Sequence, residues 1–411
     1  MLRPTQEELR ERKLQACVLY AKGLSVVDIA KSFRVNRSSV TRWLAEAEKD
    51  GWLDRQPRLN LTPKQLLEVS LQAHDAKKEA RLLKLLRTES SPLRKVLVPP
   101  IIPPLDAKVK QDEKALADVL RETTGRAAAL YMNSLVEASP DRARFGISWG
   151  RSLAKTIDAL ELIAKPNSNV TCIPLVGSLE VLLTADQRVD LISGESNILA
   201  QRLCYAYGAP PPQLLTIPAY LPRDAKDRPL AVLRDYFENS PSYRYVFGAP
   251  DRPGYVWGAR IAIVGIGSIE TTSWPATTKY ISAADLTRLE AAGAIGDIAA
   301  KFYAADGLHP ADCACLLCQT NGRVLGIRLR TLAALAHNLG ADGKPDSRYP
   351  RRHVIGIASG RKAKAIIGAA RMLLTDLVVD ENTADEMLAM LEAERGAAPP
   401  AARGNARKGR G

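Results

Sequence analysis

The sequence predicts an α/β protein, with an all-helical N-terminal module followed by a large part built on a mostly parallel sheet. Three observations carry this. From residue 95 onward, apolar runs of strand length alternate with helical patterns of about ten residues or more, as in a parallel sheet with crossover helices. Several of those runs end in a Gly-bearing turn that opens a helix. The first 55 residues, by contrast, carry only helical spacing.

Length and composition bound the rest. At 411 residues, two or three domains are expected. A chain that is 46% hydrophobic and 25% charged is foldable, which excludes a wholly disordered or collagenous protein. No run approaches the ~18 apolar residues of a membrane span. The segment from Met1 to Glu8 is polar and lacks the apolar core of a secretory signal. Six cysteines in so long a chain do not make a disulfide scaffold, so a reducing cytoplasm is expected and no membrane partner. The net charge of +13 is uneven: residues 1–100 carry +8, residues 396–411 carry +4, and 101–395 are left with +1. A local basic module is the electrostatic footprint of nucleic-acid binding, because its cations displace counterions from phosphates.

The N-terminal elements follow in order. A first helix, Glu7–Ala21, places Leu14, Val18 and Leu19 on one face, and Gly23 ends it. Leu24-Ser25 opens a second helix, Val26–Phe33, with Ile29, Ala30 and Phe33 inward. A turn at Arg34-Val35-Asn36 leads to a third helix, Arg37–Lys49, with Val40, Trp43, Leu44 and Ala47 at helical spacing. Ala30 is small where the two helices must approach, and Asn36 or Ser38 can cap the third. This is a helix-turn-helix layout. Arg37, Ser38, Ser39, Thr41 and Arg42 are then the residues that enter the major groove of double-stranded DNA. Gly51-Trp52-Leu53 reads as a turn or the entry to a small wing.

Residues 56–92 read as a linker of one helix or a helix pair that could dimerise, with a start at Thr62-Pro63 and apolar positions at Leu66, Leu67, Val69 and Leu71 early and Leu82, Leu83, Leu85 and Leu86 late. Candidate strands are Lys95–Val98, Arg144–Ser148, Asn169–Pro174, Leu214–Ile217, Ile261–Ile266, Val324–Ile327, His353–Ala358 and Asp376–Val379. Candidate helices span 109–136, 151–164, 195–207, 284–290 and 360–373. The expected domains are thus 1–55 for DNA, 56–92 as linker, 93–395 as effector domain, and 396–411 as a disordered basic tail.

Four strand-to-helix turns mark a candidate binding site. Phe145-Gly-Ile-Ser-Trp-Gly-Arg-Ser152 offers backbone N–H groups at Gly150, Arg151 and Ser152 to an anion. Ile263-Val-Gly-Ile-Gly-Ser268 supplies Gly265, Gly267 and Ser268. The turn after Ile357 supplies Ser359, Gly360 and Lys362. Pro174-Leu-Val-Gly-Ser178, the weakest, supplies Gly177 and Ser178. Ligands in open parallel sheets bind at the carboxyl ends of strands, so these turns converge. None is a dinucleotide or P-loop fingerprint, which disfavours nucleotides.

Across nearly its whole length the chain resembles the SorC/DeoR-type bacterial transcriptional regulators with a sugar-binding domain. The resemblance rests on Leu24 to Leu44, Gly146-Ile-Ser-Trp-Gly-Arg-Ser152, Val264-Gly-Ile-Gly-Ser268 and Gly293-Ala-Ile-Gly-Asp297. It continues in Lys301–Gly307, Asn321–Ile327, Val354–Lys362 and Val379–Ala384. It implies a Rossmann-like effector domain similar to sugar-phosphate isomerases, a sugar, sugar phosphate or polyol effector, and homodimers or homotetramers on operator DNA. It maps phosphate contacts onto Gly150, Arg151 and Ser152, and a hydroxyl acceptor onto Asp297. The phosphate lysine maps onto Lys362, with Lys364 as the competing position. Ser359 stands where a Gly is usual. No cofactor is implied.

Other functional classes fit the sequence less well. A sugar-phosphate isomerase or deaminase with a fused DNA-binding domain needs an acid/base set, and beyond Asp297 no second carboxylate or histidine falls in a Gly turn. A transposase-type helix-turn-helix looks alike, but the chain lacks a three-carboxylate core in strand context. His74, His309, His337 and His353 are scattered and suggest no catalytic triad. Cys313, Cys315 and Cys318 with His309 invite a metal reading. Zinc sites usually pair two C-x₂₋₄-C units across a longer loop, and no second pair exists, so a loop bearing thiols and no metal is expected.

Overall fold

The computed structural model describes residues 6–21, 24–53, 74–101, 109, 111–178, 193–221, 230–269, 281–310, 313–349 and 351–397. The N-terminal module is three helices: α1 (Gln6–Ala21), α2 (Val26–Phe33) and α3 (Arg37–Lys49). Leu14, Val18, Ile29, Ala30, Val40, Trp43, Leu44 and Ala47 bury one core, and Phe33 meets Trp43 edge-on at 5.9 Å. The Ser25 hydroxyl caps α2 by accepting the Asp28 N–H at 3.2 Å. Arg34 takes a left-handed φ of 53°, and the Val35 N–H closes the turn onto the Ala30 carbonyl. Lys13 pairs with Glu46 and ties α1 to α3.

One local expectation changes, and the turn expected at Gly51 is present. Asn36 stands at the N-cap of α3, but its side chain makes no capping bond. Gly51 and Trp52 stop α3 by donating N–H bonds to the Glu48 and Ala47 carbonyls, so this stretch is a helix-ending turn. Gly23, the Thr62-Pro63 start and the tail beyond Ala397 lie outside the described residues.

The chain continues with α4 (Ala76–Leu86), β1 (Lys95–Leu97), α5 (Glu113–Glu137), β2 (Arg144–Ile147), α6 (Arg151–Leu160), β3 (Thr171–Pro174) and α7 (Ser196–Ala206). Next come α8 (Leu230–Glu238), α9 (Pro241–Phe247), the short pair β4 (Gly248–Ala249) and β5 (Arg252–Pro253), β6 (Ile261–Gly265), β7 (Gly267–Ser268) and α10 (Ala283–Ala291). The last elements are β8 (Ala294–Ile298), β9 (Lys301–Ala304), α11 (Leu316–Gly322), α12 (Leu329–Ala336), β10 (His353–Ala358), α13 (Ala363–Met372), β11 (Asp376–Val379) and α14 (Glu381–Ala397).

Six strands form one parallel sheet in the order β1-β11-β10-β6-β2-β3. Period-two alternation splits each strand between two cores. Ile261, Ile263, Ile355, Ile357 and Val378 face the layer of α5, α6 and α7. Ala262, Val264, Val354, Leu377 and Val379 face the layer containing α4 and α13. From β2 the chain winds outward to β3, then crosses back to β6 and winds the other way through β10 and β11. The strand order therefore reverses between β2 and β6, the position where parallel sheets open a ligand crevice.

Two expected strands fail on pairing. Leu214–Ile217 and Val324–Ile327 are buried but irregular, held by isolated bridges such as Ser178 to Pro218 and Val176 to Gly326. A separate antiparallel sheet of β7, β8 and β9 was not expected, because Gly296 interrupts the strand signal of β8. Leu82 and Leu86 of α4 are fully buried, and Leu83 and Leu85 pack beside them, so the late leucines of the linker are covered within the chain, while Leu66, Leu67, Val69 and Leu71 lie outside the described residues. Val98 N–H donates to Glu79 at 2.8 Å and Lys78 pairs with Asp385 at 2.7 Å, fastening α4 to the sheet and to α14. Among the described residues no helix is long and apolar enough to cross a membrane.

Candidate effector pocket and nucleic-acid interface

Helix α3 presents an exposed stripe of Arg37, Ser38, Thr41, Arg42 and Ala45 around a shallow groove. At 100° per residue these positions share one face, opposite the buried Val40, Trp43, Leu44 and Ala47. Ser39 is half-buried and lies off the stripe, so it is the one predicted DNA contact that this face does not include. Thr41 Oγ1 donates to the Arg37 carbonyl at 3.1 Å, which leaves its hydroxyl oxygen able to accept.

The carboxyl ends of β2, β6 and β10 enclose a cavity of about 270 Å³, near the lower end of the about 300–1,000 Å³ typical of small-molecule sites. Gly150, Arg151 and Ser152 line it from the start of α6. Gly265, Gly267 and Ser268 line it from the β6–β7 turn, Asp297 from β8, and Ser359, Gly360 and Lys362 from the turn before α13. Ten of the twelve predicted effector residues thus meet in one cavity. Gly177 and Ser178 do not line it, which corrects the fourth turn. A Cβ on Gly177 would stand 2.5 Å from the Pro218 carbonyl oxygen, and Ser178 Oγ accepts from Asn197 at 2.7 Å. That turn is packed against the irregular segment at Ile217 and Pro218. Of the two competing lysines, Lys362 lines the cavity and Lys364 is exposed on α13.

Charge in the cavity is lopsided. Arg121, Arg151, Arg361 and Lys362 line it against one carboxylate, Asp297. Both α6 and α13 point their N-termini at it, adding backbone donors and the positive ends of two helix dipoles. Ser152 Oγ and Ser359 Oγ sit 3.3 Å apart, and Lys362 Nζ donates to the Ile266 carbonyl at 3.1 Å. Gly360 holds a φ of +82° while its N–H donates to Asp380 at 3.0 Å, so the turn needs both the glycine and that acid. Sequence reading missed Arg121, which arrives from α5 with no local motif, and Arg361, which sat unremarked inside one.

Among the described residues, two cavity-lining side chains each carry a buried polar atom without a hydrogen-bond partner: the Arg151 Nε donor and the Asp297 Oδ1 acceptor. Burial pushes the Asp297 carboxyl from its ordinary 3.8 up to about 6, although the Lys362 charge pulls the other way. Burial likewise lowers Lys362, partly offset by Asp297. Buried groups left unpaired are costly, and a ligand that pairs them recovers that cost. Gly267 lets the acid in, because a Cβ there would stand 1.9 Å from Asp297 Oδ1. Gly267→Ala is therefore expected to displace Asp297 and lower effector affinity at least about tenfold with the sheet intact, since one lost charged hydrogen bond is worth about 1.5–3 kcal/mol. Titration calorimetry reads this, and unaltered affinity would refute it.

Residues 106–389 match the family described as "Putative sugar-binding domain", and residues 8–55 match a homeodomain-like domain. The chain belongs to the SorC/DeoR-type family of sugar-binding transcriptional regulators. Solved structures of such regulators share its fold. The full-length sorbitol operon regulator SorC of Klebsiella pneumoniae is 20% identical with a TM-score of 0.54, covering 93% of this chain and 100% of its own. A DeoR family transcriptional regulator of Listeria monocytogenes is 19% identical with a TM-score of 0.53, covering 76% and 98%. No curated protein matches the sequence. In this SorC/DeoR-type chain the helix-turn-helix is the DNA-binding part, and the sugar-binding domain is the part that holds the cavity.

Proposed function

We propose that the effector is a phosphorylated sugar or polyol and that its binding changes how a dimer or tetramer of the chain occupies operator DNA. The observation that supports this best is the lining of one cavity by Arg121, Arg151, Arg361 and Lys362 around a single carboxylate, Asp297, among the described residues. An anion suits the arginines, Lys362 and the two helix N-termini. Sugar hydroxyls suit the lone acceptor. For regulation, the ligand must bind two arrangements of the assembly with different affinity.

The test is a thermal-shift series with matched sugars and sugar phosphates. A ligand at 100 times its Kd stabilises by about 2.7 kcal/mol, which raises the Tm by several degrees. The phosphorylated members are expected to shift the Tm and the parent sugars to do so far less. Equal shifts from both would remove phosphate from the assignment.

A retained isomerase or deaminase activity is not favoured. Asp297 is the one carboxylate among the described lining residues, and no histidine accompanies it. Conversion of any pentose or hexose phosphate by the purified protein would reverse this.

For DNA, the proposed contacts are Arg37, Ser38, Thr41 and Arg42, with Ser39 at most a flanking phosphate donor. Arg42→Ala is expected to weaken binding roughly 10- to 100-fold, the about 1–3 kcal/mol of one bidentate base contact. The measurement is fluorescence anisotropy on a duplex selected from random DNA by the unaltered protein. Undiminished affinity, with the effector shift preserved, would sink the recognition-helix assignment.

A further inference from the structure

The loop after β9 gathers four metal-ligating side chains that belong to neither site above. The ligand atoms of His309, Cys313, Cys315 and Cys318 all lie within 4.8 Å of one another. His309 Nδ1 stands 3.1 Å from Cys315 Sγ and 3.7 Å from Cys313 Sγ. A tetrahedral zinc ion with bonds of about 2.0–2.3 Å spaces its ligand atoms about 3.5–3.8 Å apart, so the cluster is near the size that an ion imposes. We propose that these four residues form a closed, structural zinc site of the Cys₃His type.

Spacing alone argued against this, because His-x₃-Cys-x-Cys-x₂-Cys has no second distant pair. The fold supplies what the spacing lacks. An isolated bridge between Ala304 and Gly307 turns the chain back after β9, which brings His309 over the start of α11. There Cys315 is the N-cap residue and Cys318 lies in the first turn, while the Cys313 N–H closes a turn onto the Pro310 carbonyl at 3.1 Å. The imidazole is oriented as a ligand is. Its Nδ1 faces the thiols, its Nε2 lies 3.9 Å from the Asp306 carboxylate, and its backbone carbonyl accepts from Arg330 at 2.7 Å. A carboxylate on the far ring nitrogen is the usual outer partner of a zinc-bound histidine. Three thiolates and one imidazole favour zinc over the oxygen-loving cations, and four protein ligands leave no open position for catalysis.

The site would brace the effector pocket from behind. The Asn321 side chain in α11 accepts the Phe302 N–H at 2.7 Å and donates to the Phe302 carbonyl at 2.8 Å. Phe302 in turn pairs across the small sheet with Asp297. The buried Lys301 ammonium donates to the carbonyls of Asn321 and Val324, locking the same junction. An ion that ties His309 and Cys313 to the start of α11 therefore holds the hairpin that carries Asp297.

The test uses the full chain, expressed with zinc in the medium and purified without chelator. Metal analysis is expected to find zinc equimolar with protein, falling at least tenfold in Cys315→Ser/Cys318→Ser. His309→Cys, which keeps four ligands, is expected to retain it. Should the double variant fail to fold, the unaltered protein stripped with chelator and titrated with cobalt(II) decides. The expected result is sulfur-to-cobalt charge-transfer absorption with the intense visible bands of a tetrahedral ion. Zinc-free protein with reduced thiols and no such spectrum would overturn the proposal. So would a mass two hydrogens low with blocked thiols, which would make the cluster a disulfide.

Discussion

Ser152→Glu is expected to abolish the effector response while leaving DNA binding in place. Ser152 opens α6 at the mouth of the cavity, buried, with its hydroxyl 3.3 Å from that of Ser359. Arg151 precedes it, and Lys362 lines the same space. A glutamate there puts a carboxylate where the phosphate is proposed to sit. It competes for the same donors and repels the incoming anion by about 4 kcal/mol for unit charges 4 Å apart at an effective dielectric of about 20. Effector affinity is expected to fall at least about 100-fold. The free protein, however, gains an internal anion at two helix N-termini, a favourable place for one. Its Tm without ligand is expected to stay level or rise. Thermal shift with and without sugar phosphate reads both effects, and anisotropy on operator DNA reads the third. A normal effector shift in this variant would rule out α6 as the phosphate cradle.

How much of this was legible depended on the range of the forces involved. The helix-turn-helix was read almost to the residue, because Leu14, Ile29, Val40 and Trp43 sit at a periodicity set by local geometry. Six of the eight expected strands are in the sheet, because strands buried on both faces carry continuous apolar runs. Leu214–Ile217 and Val324–Ile327 carry equally apolar runs, yet they meet each other's neighbours through single bridges. Nothing local distinguishes a buried loop from a buried strand.

The pocket divides in the same way. Glycine turns announce themselves, so Gly150, Gly267 and Gly360 were found. Arg121 did not, because its place in the cavity depends on how α5 lies across the sheet. The turn at Gly177 has the same local signature, but long-range packing against Pro218 closed it. The cysteine cluster is the reverse case: a pattern dismissed on spacing that a tertiary turn assembles.

Asp297→Asn is expected to move stability and effector binding in opposite directions. The carboxyl is buried, its folded pKa is raised from 3.8 to about 6, and burial is the main cause. A raised carboxyl favours the folded state only while protonated. Its contribution is complete below pH 3.8 and is lost as pH rises through about 6. At pH 8 the ionised side chain therefore opposes folding, by about 3 kcal/mol for a shift of this size at 1.36 kcal/mol per unit. Asparagine has no charge to bury. The variant without ligand is expected to melt several degrees higher than the parent at pH 8, with the gap closing as pH falls below 6 toward 4. Effector binding is expected to weaken about 10- to 100-fold at pH 8, as a charged acceptor for sugar hydroxyls becomes a neutral one. Phosphate esters titrate near pH 6 as well, but that change is common to both proteins, so the difference between their affinity profiles isolates Asp297. If the variant instead melted lower at pH 8, the carboxylate would be a structural partner, and the reading of Asp297 as an acceptor held ready for ligand would fail.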